Sequence, residues 1–178
     1  MSKKIQGSTL YCLSRRYHRT PETLQEPVPV RGARLHLVGP MGFSIDEQKL
    51  QTCRYWITGY FLDITYYNST REFLEKHKED HLYFFTTKGR KVYSEQTYPD
   101  DSYLIFGRED AGIDEEILFH HPDTCLRLPM IGPVRSLNLS NTVAIAVYET
   151  LRQWGFPALQ NEGQLHRLSW DQINQTIE

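Results

Sequence analysis

The sequence predicts a single α/β domain built around a largely parallel sheet. From Arg34 onward, short runs rich in β-branched, aromatic and aliphatic residues alternate with polar stretches of helical character. This alternation is typical of successive strand–helix units. The length of 178 residues is that of one domain, and 39% hydrophobic with 24% charged residues is an ordinary globular composition. We therefore expect one continuous core.

The elements follow in order along the chain. Predicted strands cover 35–38, 62–67, 82–86, 102–106 and 125–128. The strongest helix prediction is 140–154, because Val143, Val147 and Leu151 recur every fourth residue and Gly155 and Pro157 follow. Weaker helical patterns cover 45–52, 69–78 and 115–119.

Residues 1–33 have a different character. Pro21, Pro27 and Pro29 interrupt any regular element, and the stretch 15–20 is polar without periodicity. Taken as it stands, this segment is predicted to be a disordered basic arm. We divide the chain into an atypical N-terminal segment (1–33), the α/β domain (34–160) and a C-terminal tail (161–178).

Several classes of protein are disfavoured. Twenty Lys and Arg residues against 22 Asp and Glu residues give a net charge of −2. The overall charge therefore gives no sign of nucleic-acid binding, which usually requires a strongly positive surface. Cys12, Cys53 and Cys125 are too far apart for a disulfide framework or a C-x-x-C metal site. No apolar run approaches a membrane span or a signal peptide, so we expect a cytoplasmic protein.

A histidine pair gives little support for a metal site. His77 and His81 are four residues apart near a predicted helix end, a spacing that zinc sites use. Charged neighbours at 76 and 78–80 favour a solvated face instead. We expect no bound metal.

Two loops carry possible chemistry. The first follows the strand at 102–106 and contains Gly107 and Gly112; it is either a structural turn or a place where the backbone approaches a ligand closely. It lacks the G-x-G-x-x-G and Walker spacings. The second connects 125–128 to the strongest helix and is dense in small hydrogen-bonding residues, which predicts either helix capping alone or a binding site. Asn138 and Ser140 are its candidate N-caps.

Four segments are informative when they are taken together. They are Leu35-His36-Leu37-Val38-Gly39-Pro40-Met41-Gly42-Phe43, Thr86-Thr87-Lys88-Gly89, Phe106-Gly107-Arg108-Glu109 with Gly112, and Leu128-Pro129-Met130 leading into Arg135-Ser136-Leu137-Asn138-Leu139-Ser140-Asn141. Together they closely resemble the bacterial tRNA (cytidine/uridine wobble position) 2′-O-methyltransferases of the SPOUT superfamily. The resemblance covers about residues 34–158. It implies a SPOUT-type α/β fold with a C-terminal trefoil knot, a homodimer with the site at its interface, S-adenosylmethionine as methyl donor and tRNA as substrate.

The resemblance also assigns residues. The donor would be held by Phe85, Gly107, Gly112, Leu128, Met130, Ser136 and Leu137. For catalysis it implicates Asn141 and Glu109 as organising residues and Arg135 as a contact to substrate phosphate. Candidates for a basic RNA-binding face are Arg15, Arg16, Arg19, Lys88, Arg90, Lys91 and Arg135.

Alternative functions remain open from the sequence. One is a catalytically impaired relic that binds donor or RNA without turnover. Another is a ribose methyltransferase acting on rRNA. A third, an unrelated nucleotide-binding enzyme, is disfavoured because the usual phosphate-binding motifs are absent.

The N-terminus departs from the family pattern. The family opens with a strand and an Asn-x-Gly-Asn-x-x-Arg motif, which residues 1–33 lack. Joining the last base of each codon from Arg16 to Pro27 to the first two bases of the next codon permits I-P-P-N-T-G-N-I-A-R-T-C, which contains the motif. A shifted reading at 55–59 likewise permits the family's L-D-Y-W. We interpret both segments as products of compensating insertions and deletions in the gene.

This interpretation is tested by resequencing the gene and by tryptic peptide mapping of the expressed protein. We expect the peptide spanning 109–127 to be detected and no peptide matching 16–31, because the two lie in different reading frames. An intact frame together with recovery of the peptide spanning 20–31 would exclude the interpretation.

Overall fold

The computed structural model describes residues 10–15, 33–39, 63–108, 111–132, 136–157 and 159–170. Its elements, in chain order, are β1 (Leu10–Arg15), β2 (Ala33–Val38), β3 (Asp63–Tyr67), α1 (Thr70–Lys76), β4 (Leu82–Phe85), β5 (Lys91–Val92), a 3₁₀ turn (Tyr93–Glu95), β6 (Tyr103–Phe106), α2 (Glu115–His120), β7 (Cys125–Arg127) and α3 (Leu139–Gln153).

The described strands form one seven-stranded sheet in the order β3-β2-β1-β6-β4-β7-β5. β1 runs antiparallel to both of its neighbours, β2 and β6. The other four pairs, β2–β3, β4–β6, β4–β7 and β5–β7, are parallel. The prediction of an α/β fold on a mostly parallel sheet is confirmed, and all five predicted strands occur within two residues of their predicted bounds.

Two strands were not predicted. The interpretation of 1–33 as a disordered arm is wrong for β1, whose residues Leu10–Arg15 lie between β2 and β6 in the sheet. Pro21, Pro27 and Pro29 all follow this strand in the sequence, and the strand's own run of β-forming residues is short. β5 has only two residues and leaves no periodic signal. Residues 16–32 lie outside the described part of the chain.

The central strands separate two layers of core. Along β4, Phe84 packs on one face and Phe85 on the other, and β6 alternates in the same way. Helices α1 and α2 cover the first face through Phe73 and Ile117, whereas α3 covers the second through Ala146. Burial on both faces explains why β4 and β6 read as continuous apolar runs.

Helix α3 occurs where the sequence predicts it, within one residue at each end. The amide oxygen of Asn138 accepts a hydrogen bond from the Asn141 backbone N–H at 3.4 Å. The cap is therefore Asn138, and Ser140 lies one residue inside the helix. At the other end Gly155 adopts a φ of 74°, the left-handed conformation that stops a helix.

A second set of bonds ties the end of α3 to the segment after β5. Gln153 accepts a hydrogen bond from the Tyr98 backbone N–H at 3.1 Å, and the Trp154 indole N–H donates to the Tyr98 carbonyl at 2.8 Å. The Tyr98 hydroxyl in turn donates to the Tyr93 carbonyl. These bonds fix the C-terminal end of α3, and the packing of Leu139 and Val143 on the core places its first turn over the sheet.

The prediction of a solvated face at the end of α1 is wrong for His77, which is buried. Its Nδ1 lies 2.7 Å from Asp80, its Nε2 lies 2.9 Å from the Tyr67 hydroxyl, and that hydroxyl lies 3.1 Å from Nδ1 of His36. The helix ends at Lys76, so the next residue turns inward, where these bonds satisfy its ring. His81 is exposed, as expected.

Two classes of feature are not found in the described ranges. None of the described helices is both long and apolar enough to cross a membrane. Nor do three His, Cys, Asp or Glu side chains of the described residues come together as a metal site. The predicted helix at 45–52 and the shifted reading at 55–59 fall outside the described residues.

We predict that Tyr67→Phe lowers the free energy of unfolding by about 1–3 kcal/mol, because it removes a buried hydroxyl that lies within hydrogen-bond distance of both His36 and His77. Urea denaturation measures the change. Tyr148→Phe is the matched control, since the Tyr148 side chain is exposed on α3. Equal losses in the two variants would show that the buried hydroxyl contributes nothing specific.

Candidate functional site

A cavity of about 430 Å³ lies beyond the carboxyl ends of β6, β4 and β7, which are neighbours in the sheet. Parallel strands end at the same edge, so the loops that follow them meet there. The cavity is lined by Phe85, Thr86, Thr87, Lys88, Phe106, Gly107, Arg108, Ala111, Gly112, Ile113, Leu128, Met130, Ser136, Leu137, Asn138, Leu139 and Thr142. These residues come from three loops and the first turn of α3.

The loop after β6 folds back onto the end of its own strand. A Cβ placed on Gly107 would lie 2.2 Å from the carbonyl carbon of Gly112 and 2.5 Å from the backbone nitrogen of Ile113. Gly112 has a φ of 68°, and its N–H donates to the Arg108 carbonyl at 2.8 Å. No side chain fits at position 107, because backbone occupies the space a Cβ needs.

The turn after β4 is held against β7 by its backbone. The Thr86 N–H donates to the Leu126 carbonyl at 2.9 Å, and the Gly89 N–H donates to the Thr86 carbonyl at 3.3 Å. A Cβ on Gly89 would lie 2.7 Å from the carbonyl carbon of Leu126. The Arg127 guanidinium donates to the Thr87 carbonyl. The turn 86–89 therefore has a defined position at the cavity.

Aromatic rings form the apolar floor. Phe85 and Phe106 stack with ring centroids 5.0 Å apart and planes 22° apart, and both are buried. Ile113 and Leu128 are also buried beside the cavity. Ser136 also lines the cavity, is exposed and brings a hydroxyl. Such a floor suits a flat apolar group of a ligand, whose polar edges can form hydrogen bonds with the loops above it.

The charged groups lie at the rim and are cationic. Lys88 and Arg108 line the cavity, whereas no Asp or Glu does so within the described part of the chain. The Lys88 ammonium lies 2.7 Å from a carboxylate oxygen of Glu115, in the first turn of α2. This lysine holds the pKa of the Glu115 carboxyl below its usual value. The rim thus favours a ligand with negative charge.

The structure brings together all seven residues predicted to hold the donor. Each of them lines the cavity: Phe85, Gly107, Gly112, Leu128, Met130, Ser136 and Leu137. Asn141 is exposed in the first turn of α3, and it is not among the residues that line the cavity. Glu109 and Arg135 lie outside the described residues. The roles of all ten remain predictions.

Sequence reasoning did not assign several lining residues to the donor site. Arg108 and Ile113 flank the two glycines, and Thr142 follows Asn138 by one helical turn. Their signal was positional, because each lies next to a strand end or helix start that was predicted. Arg108 lies within the segment Phe106-Gly107-Arg108-Glu109, whereas Ile113 and Thr142 lie outside all four segments of the resemblance.

A family model and individual relatives match this chain. The model described as the SpoU rRNA Methylase family matches residues 30–148. A Listeria monocytogenes protein is 42% identical over 138 residues, which cover 75% of this chain and 80% of that protein. The Escherichia coli (strain K12) protein named tRNA (cytidine(34)-2'-O)-methyltransferase is 40% identical over 127 residues, covering 71% and 80%.

A solved structure agrees with these matches. It is described by the words "Structural insights into the 2-OH methylation of C/U34 on tRNA". It aligns with a TM-score of 0.58 at 35% sequence identity and covers 68% of this chain and 78% of its own.

We predict that Gly107→Ala lowers the free energy of unfolding by about 1–3 kcal/mol, since the backbone on both sides must move to admit a methyl group. Gly132→Ala is the control: no atom lies within 4 Å of its added Cβ, so we expect a change within about 0.5 kcal/mol. Urea denaturation distinguishes them. Full tolerance of alanine at 107 would contradict the close contact.

Proposed function

The chain belongs to the SpoU rRNA Methylase family, and from this premise we propose that it transfers a methyl group from S-adenosylmethionine to the ribose 2′-hydroxyl of the wobble cytidine or uridine of tRNA. The observation that carries the proposal is the convergence of the seven predicted donor-binding residues on one cavity. The name of the Escherichia coli relative supports the choice of tRNA.

The residues present fit S-adenosylmethionine. A volume of about 430 Å³ is within the range of small-molecule sites. The stacked pair Phe85–Phe106 offers an apolar floor for a planar base, and Gly107 lets the loop after β6 pack tightly beside the cavity that it lines. The donor would be held by these three residues with Gly112, Leu128, Met130, Ser136 and Leu137. When bound, it supplies a methyl group on a positively charged sulfur.

The protein's part in the reaction is alignment. The attacking hydroxyl must lie in line with the methyl group, which converts an encounter of two molecules into one oriented step. A ribose hydroxyl is weakly acidic, so a group that receives its proton also helps. We assign organising roles to Asn141 and Glu109, and a contact with substrate phosphate to Arg135.

The proposal includes the finer features that the resemblance implies. They are a trefoil knot in the C-terminal part, a homodimer with the site at its interface, and a cytoplasmic location, where tRNA is found. Exposed apolar side chains in α3 and just before it support the dimer: Leu137 and Ile145 are each 37% exposed. A second copy packed there would lie close to the helix start that borders the cavity.

We expect the full chain to transfer label from S-adenosylmethionine to unmodified bulk tRNA, with nucleoside mass spectrometry locating it on the 2′-oxygen of the wobble cytidine or uridine. Gly107→Ala should abolish transfer and Gly132→Ala should retain it, because only the former distorts the cavity. Label in rRNA alone would replace tRNA as the substrate, and the family's description makes rRNA the second candidate.

A second arm separates loss of activity from a wrong assignment. If the chain transfers no methyl group, we replace residues 16–27 with the shifted reading that contains the Asn-x-Gly-Asn-x-x-Arg motif. Recovery of activity would identify the chain as an impaired member of its family. Inactivity of both forms on tRNA and rRNA would overturn the proposed function.

A further inference from the structure

The backbone of Lys88 is held in place, whereas its side chain forms an exposed ion pair whose partner can exchange. Its turn is bonded to β7 through Thr86 and packed against it at Gly89. The Lys88 N–H also donates to the Thr86 hydroxyl at 3.2 Å. The side chain, in contrast, is 50% exposed and reaches across the rim to Glu115 on α2, whose side chain is 77% exposed.

Such an ion pair is weak enough to exchange. Exposed pairs contribute little stability, because water solvates both groups and salt screens them. An RNA phosphate brings the same charge as a carboxylate, and its binding also releases counterions condensed on the RNA. A phosphate that arrives with the substrate can therefore displace the carboxylate.

The position of the pair relates it to the cavity. Lys88 lines the cavity and Glu115 does not. The exposed pair Lys91–Asp123 has a similar separation, 3.1 Å, but neither of its residues lines the cavity. A cation at the rim is reached by a polymer that approaches from outside, whereas the anionic group of an enclosed small ligand would lie deeper.

We propose that Glu115 is the resting partner of Lys88, and that a backbone phosphate of the RNA substrate replaces it when the target ribose enters the cavity. Lys88 is then a positioning residue that sets where the RNA backbone lies relative to the donor site. The inference rests on the proposed function, since it takes an RNA as the ligand. To that function it adds a carboxylate, Glu115, that competes with the RNA, and a binding position for one RNA phosphate at Lys88.

The test is the affinity of the full chain for a fluorescently labelled, unmodified tRNA transcript, measured by anisotropy between 50 and 200 mM salt. We expect Glu115→Gln to tighten binding roughly two- to fivefold, because it releases Lys88. Glu116→Gln is the matched control: it makes the same charge change in the same helical turn, but Lys88 pairs with Glu115. We expect it to change affinity by less than half as much.

Removing the charge of Lys88 should change tRNA affinity in the opposite direction. We expect Lys88→Gln to weaken tRNA binding by about three- to tenfold and to reduce the salt slope by about one, the value for one lost phosphate contact. Lys88→Arg should keep most of the affinity. Lys78→Gln, at an exposed lysine that does not line the cavity, should leave the slope within experimental error.

Two results would overturn the exchange while leaving the proposed function intact. One is a wild-type chain that methylates tRNA while Glu115→Gln and Glu116→Gln behave alike. The other is a Lys88→Gln variant that loses affinity for S-adenosylmethionine in calorimetry but keeps its affinity for tRNA, which would assign Lys88 to the donor's carboxylate. Both proposals are overturned if neither the wild-type chain nor the variant with the restored motif at 16–27 binds or methylates tRNA or rRNA.

Discussion

The candidate site depends on one contact between two stretches of backbone. At Gly107 the chain leaves β6 and passes so close to Gly112 and Ile113 that only hydrogen fits between them. This contact holds the loop against the end of its own strand, beside the cavity that Gly107, Gly112 and Ile113 line. The cavity wall is therefore made of groups that any substitution at 107 would displace. A binding surface of this kind is rigid because its shape is set by packing of the main chain.

The site also depends on the sheet, because the sheet brings three loops to the same edge. β6, β4 and β7 are parallel neighbours, so their three loops emerge at one edge and surround a common space. Burial of both faces holds these strands in place, with Phe84 in one core layer and Phe85 in the other. The bonds of Gln153 and Trp154 to Tyr98 anchor the far end of α3, which leaves its capped start at the cavity. Distant contacts thus position the residues that border the site.

Charge is distributed to match this geometry. The chain as a whole is slightly acidic, with a net charge of −2, so attraction for a polyanion must come from local groups. At the rim those groups are Lys88 and Arg108, and the nearby carboxylate of Glu115 neutralises the lysine in the free protein. In the proposed reaction the apolar floor would hold the methyl donor, and the cationic rim would contact the RNA.

The sequence by itself determined the fold class, the five longer predicted strands and helix α3, because alternating apolar patterns and helix-stop residues are local signals. It also marked, through resemblance, seven residues that the structure brings to one cavity. It did not reveal β1, which is stabilised by pairing with β2 and β6, or the inward turn of His77, which Tyr67 and Asp80 satisfy. Nor could it show that Lys88 meets Glu115, 27 positions away in the chain. Tertiary structure decided these features because each depends on partners that are distant along the chain or placed by a turn of the backbone, whereas periodicity reports only on neighbours.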